Sequence, residues 1–401
     1  MSVEALTGLN ILVVSPNSWG DMRVSKHHYA VALAQRGNRV FFLNPPDARA
    51  QERIKIEDVE GVEGLSTITY RPFVPFVIRF RLRRLFDLIA AAHVRWLLEV
   101  IGHPLDAVWC FDSNLYSDLR WFNAPLKIFH PVDQVALPHQ MRVASTADVV
   151  LSVSDEILKN TRAYGTPQLR VEHGLAPEFV ALAERRSRET TYRRHEALKV
   201  GYVGNLLMPY IDRELMLRII AEHPRIDFHL WGPRSSSESN VGSDQSAEGT
   251  AFVRALEELP NVTLHGAVTP TALADQIDGM DLLLLCYAVT RDPNRGCNSH
   301  KILEYLSTGR VIVSNHVSDY ADRPELIEMP SATAGGDLVE LFDGALARIT
   351  KLNAPEKGRV RREFALDNSY SKQIDRIESF VAEVTSRSEP HYSPATAATR
   401  S

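Results

Sequence analysis

The chain of 401 residues has only three cysteines, Cys110, Cys286 and Cys297. Their number and spacing make neither a disulfide framework nor a zinc pattern, and a reducing cytoplasm is the expected compartment. Cys110 and Cys286 sit in apolar strand-like runs, as small buried hydrophobes do. No apolar run is long enough to span a bilayer, and Met1 to Asn10 lacks the basic and apolar design of a secretory signal. Positive charge is not in excess either. A formal net charge of -5 speaks against a general nucleic-acid binder. Several motifs are missing as well: there is no Walker P-loop, no G-x-S-x-G elbow, no complete G-x-G-x-x-G and no D-x-D pair. These absences argue against P-loop phosphate chemistry, an α/β-hydrolase nucleophile, a full dinucleotide fingerprint and a dedicated Mg²⁺ or Mn²⁺ carboxylate site.

What is present is ordinary in bulk and informative in order. Hydrophobic residues make up 44% and charged residues 24%, the balance of a soluble globular protein. The length exceeds one compact core and predicts two domains. In the first half, Leu9 to Ser15 reads as a buried strand, Ser25 to Arg36 as a helix capped by Gly37, and Arg39 to Leu43 as the next strand. Strands at 106–111, 126–130, 148–153 and 169–173 follow, and a helix at 155–164 ends at Gly165. Each strand of the first three ends in polar residues, Asp112-Ser113-Asn114, Pro131-Val132-Asp133-Gln134 and Ser154-Asp155-Glu156. In an open α/β sheet ligands bind at that edge. The first loop and helix start carry Asp21, Arg23, Ser25, Lys26, His27 and His28, where a histidine serves as base, phosphate contact or plain helix residue.

Residues 181–197 are highly charged and read as a linker without a buried face. Leu198 to Val203 then runs into Gly204-Asn205 and restarts the alternation. Helices are expected at 212–222, 251–259 and 271–277, and strands at 226–231, 262–265 and 282–286. Residues 234–249 are expected to form a mobile loop, helices to follow at 338–349 and 370–386, and 388–401 to be a disordered tail. The densest stretch is Asn298 to Asn315. An N-cap at Asn298 or Ser299 opens a short helix with Ile302, Leu303, Tyr305 and Leu306 on its apolar face. Gly309 ends it and Val311-Ile312-Val313 is a buried strand. Lys301 and Glu304, three residues apart, share one face. They are either an ordinary ion pair or a nucleotide clamp, with Lys and backbone amides on phosphate and Glu on ribose.

Arg71 to Arg95 stands apart. It combines Pro72, Phe73, Pro75, Phe76 and Phe80 with six arginines and the single acid Asp87. Such a segment suits an anionic membrane surface, or else packs between elements with its arginines solvated.

Taken together the motifs resemble those of the two-Rossmann-domain glycosyltransferases of the GT-B fold, in particular bacterial enzymes of cell-surface polysaccharide synthesis, and the teichuronic-acid-type transferases above all. The resemblance covers most of the chain. It rests on Ser25-Lys26-His27-His28 with Asn44-Pro45-Pro46, Glu172-His173-Gly174-Leu175, Gly201 to Asn205, His265-Gly266-Ala267-Val268, Asp281 to Cys286, and above all Lys301-x-x-Glu304-Tyr305-Leu306-x-x-Gly309. It implies an α/β protein of two doubly wound Rossmann-like domains facing across a cleft. The expected division is 1–180 for the acceptor, 181–197 as linker, 198–368 for the nucleotide-sugar donor, 369–386 as a helix packing back on the first domain, and 387–401 as tail.

The resemblance further implies a hexosyltransferase-type enzyme using a nucleoside-diphosphate sugar, without metal or other cofactor. By it Glu304 holds the ribose, while Lys301, Arg295, Gly204 and Asn205, with Asn298 and Ser299 at the helix start, hold the diphosphate. Asp133 leads as acceptor base, with Asp112 and His27 behind it. Retaining members usually carry a second Glu eight residues before the ribose Glu. Here that place is Gly296, which tilts the expectation toward inversion. Expected partners are a nucleotide sugar, a glycan or lipid-linked acceptor and an anionic membrane surface on Arg71–Arg95, with no nucleic acid. The expected location is cytoplasmic, peripheral on the inner face of the plasma membrane. A sugar-nucleotide 2-epimerase of the same fold and a non-catalytic sugar-nucleotide or glycan-binding subunit are the competing readings.

Overall fold

The computed structural model describes residues 5–20, 23–75, 77–132, 137–235, 238, 247–288, 300–331 and 337–388. The first sheet holds β1 Asn10–Val14, β2 Arg39–Leu43, β3 Ile54–Asp58, β4 Leu65–Tyr70, β5 Ala107–Cys110, β6 Leu126–Phe129, β7 Val149–Ser152 and β8 Gln168–Arg170. Their order is β3-β4-β2-β1-β5-β6-β7-β8, parallel throughout except for the edge strand β3, which runs antiparallel to β4. The second sheet holds β9 Lys199–Val203, β10 Asp227–Trp231, β11 Val262–Gly266, β12 Leu282–Leu285 and β13 Val311–Ser314, all parallel in the order β11-β10-β9-β12-β13. In both sheets the order reverses beside the first strand, and that switch point opens a crevice at the carboxyl ends.

The strand sequences explain the layering. Ile11 to Val14, Ala107 to Cys110 and Leu282 to Leu285 are buried along their whole length, as parallel strands must be when helices cover both faces. Each sheet accordingly has a hydrophobic core on either side. The helices are α1 Ser25–Gln35, α2 Val77–Arg81, α3 Arg83–Ile101, α4 Leu137–Ala144, α5 Asp155–Lys159, α6 Pro177–Arg186 and α7 Arg213–Glu222. After them come α8 Ala247–Glu257, α9 Pro270–Ile277, α10 His300–Thr308, α11 Leu338–Ala347, α12 Ile349–Leu352, α13 Pro355–Asp367 and α14 Tyr370–Ser388. Among the described residues no helix is long and apolar enough to cross a membrane.

Two connections position the crevice. On α14 the residues Tyr370, Ile374, Ile377 and Val381 form one apolar stripe, and it completes the core of the first sheet beside α1. Arg36 of α1 pairs with Asp375 and Glu378 on the same helix. Next to it Leu175 and Ser369 form an isolated parallel bridge where the two crossing segments meet.

Residues 181–197 do not lack a buried face. α6 runs into them, and Phe179, Leu182 and Ala183 pack against α9, α10 and α13 of the second sheet's layer. Charge content hides that face, because two of the charged residues, Arg186 and Glu189, are half-buried and paired while most of the others are exposed. Glu189 meets Arg186 at 3.0 Å, Arg310 at 2.8 Å and Arg362 at 3.6 Å. β8 also stops short of its expected end. Glu172 and His173 leave the sheet and turn toward the crevice, where His173 lies 6.0 Å from His300, ring to ring.

Candidate active site

The second sheet supplies a compact polar floor. Gly204 follows β9, and its N–H donates to the Trp231 carbonyl at 2.8 Å. A Cβ on Gly204 would sit 2.7 Å from the Tyr202 hydroxyl and 2.9 Å from Lys301 Nζ, so only glycine leaves that space open. Gly232 makes the same approach from β10. At φ +132°, a side chain there would meet the Gly204 carbonyl at 2.0 Å. Two glycines thus let two strand ends close up under the start of α10.

Lys301 lies over this floor. Its ammonium donates to the Tyr287 hydroxyl at 2.9 Å. Burial works against its charge, but Tyr287 and Glu304 more than offset that and raise its pKa. The Tyr202 hydroxyl is buried close by and has no hydrogen-bond partner among the described residues. An unmet buried donor costs about 1–3 kcal/mol, so its place beside Lys301 favours an incoming acceptor group. Glu304 stands one turn further along α10 and is half-buried. Burial, partly offset by Lys301 and reinforced by Glu178 at the start of α6, pushes its carboxyl up to about 7.

Further basic side chains gather around the head of α10. His300 at the head of α10 lies in the field of His173, Lys301, His28 and Lys26. Desolvation first, and then those neighbours, hold the His300 imidazole well below its ordinary value, so it is neutral at pH 7. Burial likewise lowers His28 to about 3, with its ring stacked on Tyr370 at 4.9 Å. Basic side chains from α1, the β8 exit and α10 thus converge, with the His28 and His300 imidazoles neutral at pH 7, an arrangement that a dianion would stabilise.

The residues singled out in the sequence take different places. Gly204, Lys301 and Glu304 come together. Asn205 adjoins them, its side-chain oxygen accepting from the Leu207 N–H at 3.0 Å. Asp133, Arg295, Asn298 and Ser299 lie outside the described residues. Asp112 is buried, and its oxygens accept the Asn114 and Leu115 amides at 2.7 and 3.1 Å, which fixes the turn after β5. Burial raises its pKa. His27 has both ring nitrogens engaged: Nδ1 accepts from the Val24 N–H and Nε2 donates to the Ser18 carbonyl, each at 3.0 Å. Burial lowers it to about 4. Packed between Trp19 and Phe42, it holds the first loop in place and has no nitrogen left to take a proton.

Four residues escaped the sequence reading. Tyr202 sits at an inward strand position and reads as plain core. Tyr287 lies two residues beyond β12, at the strand-end position where a polar residue is the signal to look for. Glu178 lies at the start of α6, a helix that the sequence pattern does not mark. His130 is fully buried after β6, and its Nδ1 accepts from Trp109 Nε1 at 3.2 Å. That leaves the proton on Nε2, which has no partner among the described residues. Burial lowers this ring to about 3, so it is a neutral donor at the first-sheet edge. Among the described residues no group of three or more His, Cys, Asp or Glu has the geometry to hold a metal.

No family model matches this chain. No curated protein matches it either. Solved structures do. The chain is similar to sucrose-phosphate synthase from Thermosynechococcus elongatus, at 14% identity and TM-score 0.67 over 95% of this chain and 100% of that one. HepE from Anabaena, solved with UDP and glucose, matches at 12% identity and TM-score 0.61 over 94% and 99%. A glycosyltransferase from Rickettsia africae matches at 11% identity and TM-score 0.63 over 95% and 99%. At such identities the likeness establishes the fold, two Rossmann-like domains in the GT-B arrangement.

Proposed function

We propose that the chain is a glycosyltransferase that moves a sugar from a nucleoside-diphosphate sugar to a hydroxyl of a polysaccharide or glycolipid acceptor. The observation that carries this reading is the start of α10, where Lys301, the bare Gly204 backbone and the unpartnered Tyr202 hydroxyl share one small space with Glu304 a turn away. The solved relative with UDP and glucose supports it from the side of the fold. Glu304 accepts from the ribose hydroxyls. Lys301 and the Gly204-Asn205 backbone, together with Arg295, Asn298 and Ser299, hold the diphosphate.

Transfer forms a bond from the acceptor oxygen to the sugar anomeric carbon as the bond from that carbon to phosphate breaks. The electron pair leaves with the diphosphate, and Lys301 and the α10 N-terminus stabilise it there without calling on a metal. The acceptor proton goes to a base. Asp133 is the proposed one, since His27 and the oxygens of Asp112 are already engaged. Gly296, in place of the acid that retaining relatives carry, favours inversion. The acceptor is presented at an anionic membrane surface that meets Arg71–Arg95, with the protein peripheral on the cytoplasmic side.

The test is a panel of UDP-, GDP- and dTDP-sugars incubated with the purified protein. Slow release of nucleotide from one donor is the expected result. Interconversion of the sugar would replace this reading with an epimerase, and tight binding with no turnover, even with acceptor extracts, would replace it with a binding subunit.

Glu304 adds a pH signature. Its folded value lies above the ordinary 4.5, so its contribution to stability is fully present below about 4.5 and is lost as pH rises through about 7. Binding to ribose needs the ionised form. Donor affinity should therefore weaken as pH falls below 7, by up to about tenfold per unit. Glu304→Gln should weaken donor binding and flatten that profile. At pH 8 it should leave the free protein as stable as before or more so, by about 1 kcal/mol after allowing for solvent screening. Isothermal titration with the active donor between pH 5.5 and 8 reads this, and an unchanged affinity in the variant would remove Glu304 from the ribose site.

A further inference from the structure

Among the described residues, five of the eight exposed large hydrophobic side chains lie close together. Val77, Phe80, Leu82, Leu85 and Leu88 are 56, 71, 57, 44 and 71% exposed, and they run from α2 through the residue after it into the first turns of α3. The fold does not need them there. Phe86, Ala90, Val94, Leu97 and Ile101 already form the stripe by which α3 covers the first sheet. Leu85 and Leu88 stand off that stripe, and Leu82 forms the break between the two helices with a non-helical backbone. Isolated exposed leucines need no explanation, but five large apolar groups within twelve residues do.

The charges around this crest have one sign. Arg81 and Arg84 are exposed between the apolar residues, and Arg142 of α4 is exposed nearby, close enough to act on Arg83. The one acid in the stretch is already engaged. Asp87 accepts from Arg83 at 2.9 Å and from the Ser117 hydroxyl at 3.0 Å. A two-fold contact between copies of this chain would set Arg81 and Arg84 against their own counterparts, whereas an anionic lipid surface accepts both the arginines and the leucines. The crest also joins the acceptor edge. Arg79 donates to the carbonyl of Asn114 at 3.3 Å, within the turn that Asp112 fixes.

Building on the transferase reading, we propose that this crest inserts into an anionic lipid bilayer, so that the first-sheet edge faces the membrane and takes its acceptor from a lipid-anchored saccharide. The apolar groups enter the interface, the arginines lie among the headgroups, and the turn at residues 112–115 rests just above them. The crest supplies depth and orientation, while the crevice carries the donor.

The test uses the full chain with phosphatidylcholine vesicles containing or lacking about 30 mol % phosphatidylglycerol. Sedimentation should show binding to the anionic vesicles alone, reduced at least about tenfold by Arg81→Glu with Arg84→Glu and equally by Leu82→Ser with Leu88→Ser. These side chains stand in solvent, so both variants should melt at the wild-type temperature and release nucleotide from soluble donor at the wild-type rate. Absence of vesicle binding in the wild type, or binding indifferent to both variants, overturns the proposal. So does a wild-type dimer that the leucine variant splits, which would make the crest an interface between copies. Donor turnover without vesicle binding sinks this inference and leaves the transferase reading standing; vesicle binding without any donor turnover does the reverse.

Discussion

Lys301→Met should lower turnover of the donor by about 10²–10³-fold, equivalent to roughly 3–4 kcal/mol of transition-state stabilisation. The expectation follows from where the ammonium sits. It lies beside the Gly204 backbone, 2.9 Å from where a Cβ would stand, and the missing Cβ is what makes room for it. Charge builds on the departing diphosphate only as the sugar–phosphate bond breaks, so most of the loss should appear in kcat and less in donor affinity. Folding should survive, because methionine keeps the stem and, among the described residues, the side chain's polar tie is a single bond to Tyr287. A second effect belongs to the same variant. Lys301 lowers the pKa of Glu304, so its removal should move the pH transition in donor binding above 7. A folded variant with wild-type turnover would exclude Lys301 from the diphosphate site.

The other large effect is on stability. Glu189→Ala should destabilise the protein by about 3–5 kcal/mol, through the second domain. One carboxylate faces three guanidiniums there, and the side chains of Arg310 and Arg362 are only 8 and 3% exposed. Arg186 keeps Asp278 at 2.5 Å, but Arg310 and Arg362 would be left as buried cations without their acid. Leaving charge uncompensated costs far more than the intact pair contributes. Urea unfolding read by the fluorescence of Trp231 should show the shift, since that ring is fully buried against β10's neighbours in the second sheet. Glu189→Gln should fall between wild type and alanine, because it keeps an acceptor while losing the charge. A midpoint unchanged in the alanine variant would show the cluster to be solvated.

Much of the architecture was legible along the chain. The alternation of short buried strands with amphipathic helices is a local pattern, and it marked both sheets and the restart at Leu198. Residues 51–70 were passed over, since β3 is a short edge strand whose exposed residues carry little periodic signal. Helix α6 was hidden for a different reason. Its last turns carry Glu184, Arg185 and Arg186, and a run of charge looks the same whether it faces water or, as Arg185 and Arg186 do, acids at the end of α9.

The candidate site divides along the same line. Lys301 and Glu304 are three residues apart on one helix, so their shared face follows from helical geometry alone. That this face lies above Gly204, with the Tyr202 hydroxyl beside it, depends on contacts between segments about a hundred residues apart, and no spacing encodes them. His27 shows the limit most clearly. Its position after the first strand fits a base, yet two backbone groups nine and three residues upstream occupy both nitrogens. The sequence by itself determined the elements, the two-domain plan and the residue types available at each strand end, because periodicity and turn chemistry act over a few residues. Only the tertiary structure decided which of those groups meet, which are already hydrogen-bonded and which remain free for a ligand, because burial and partner choice are properties of the packed whole.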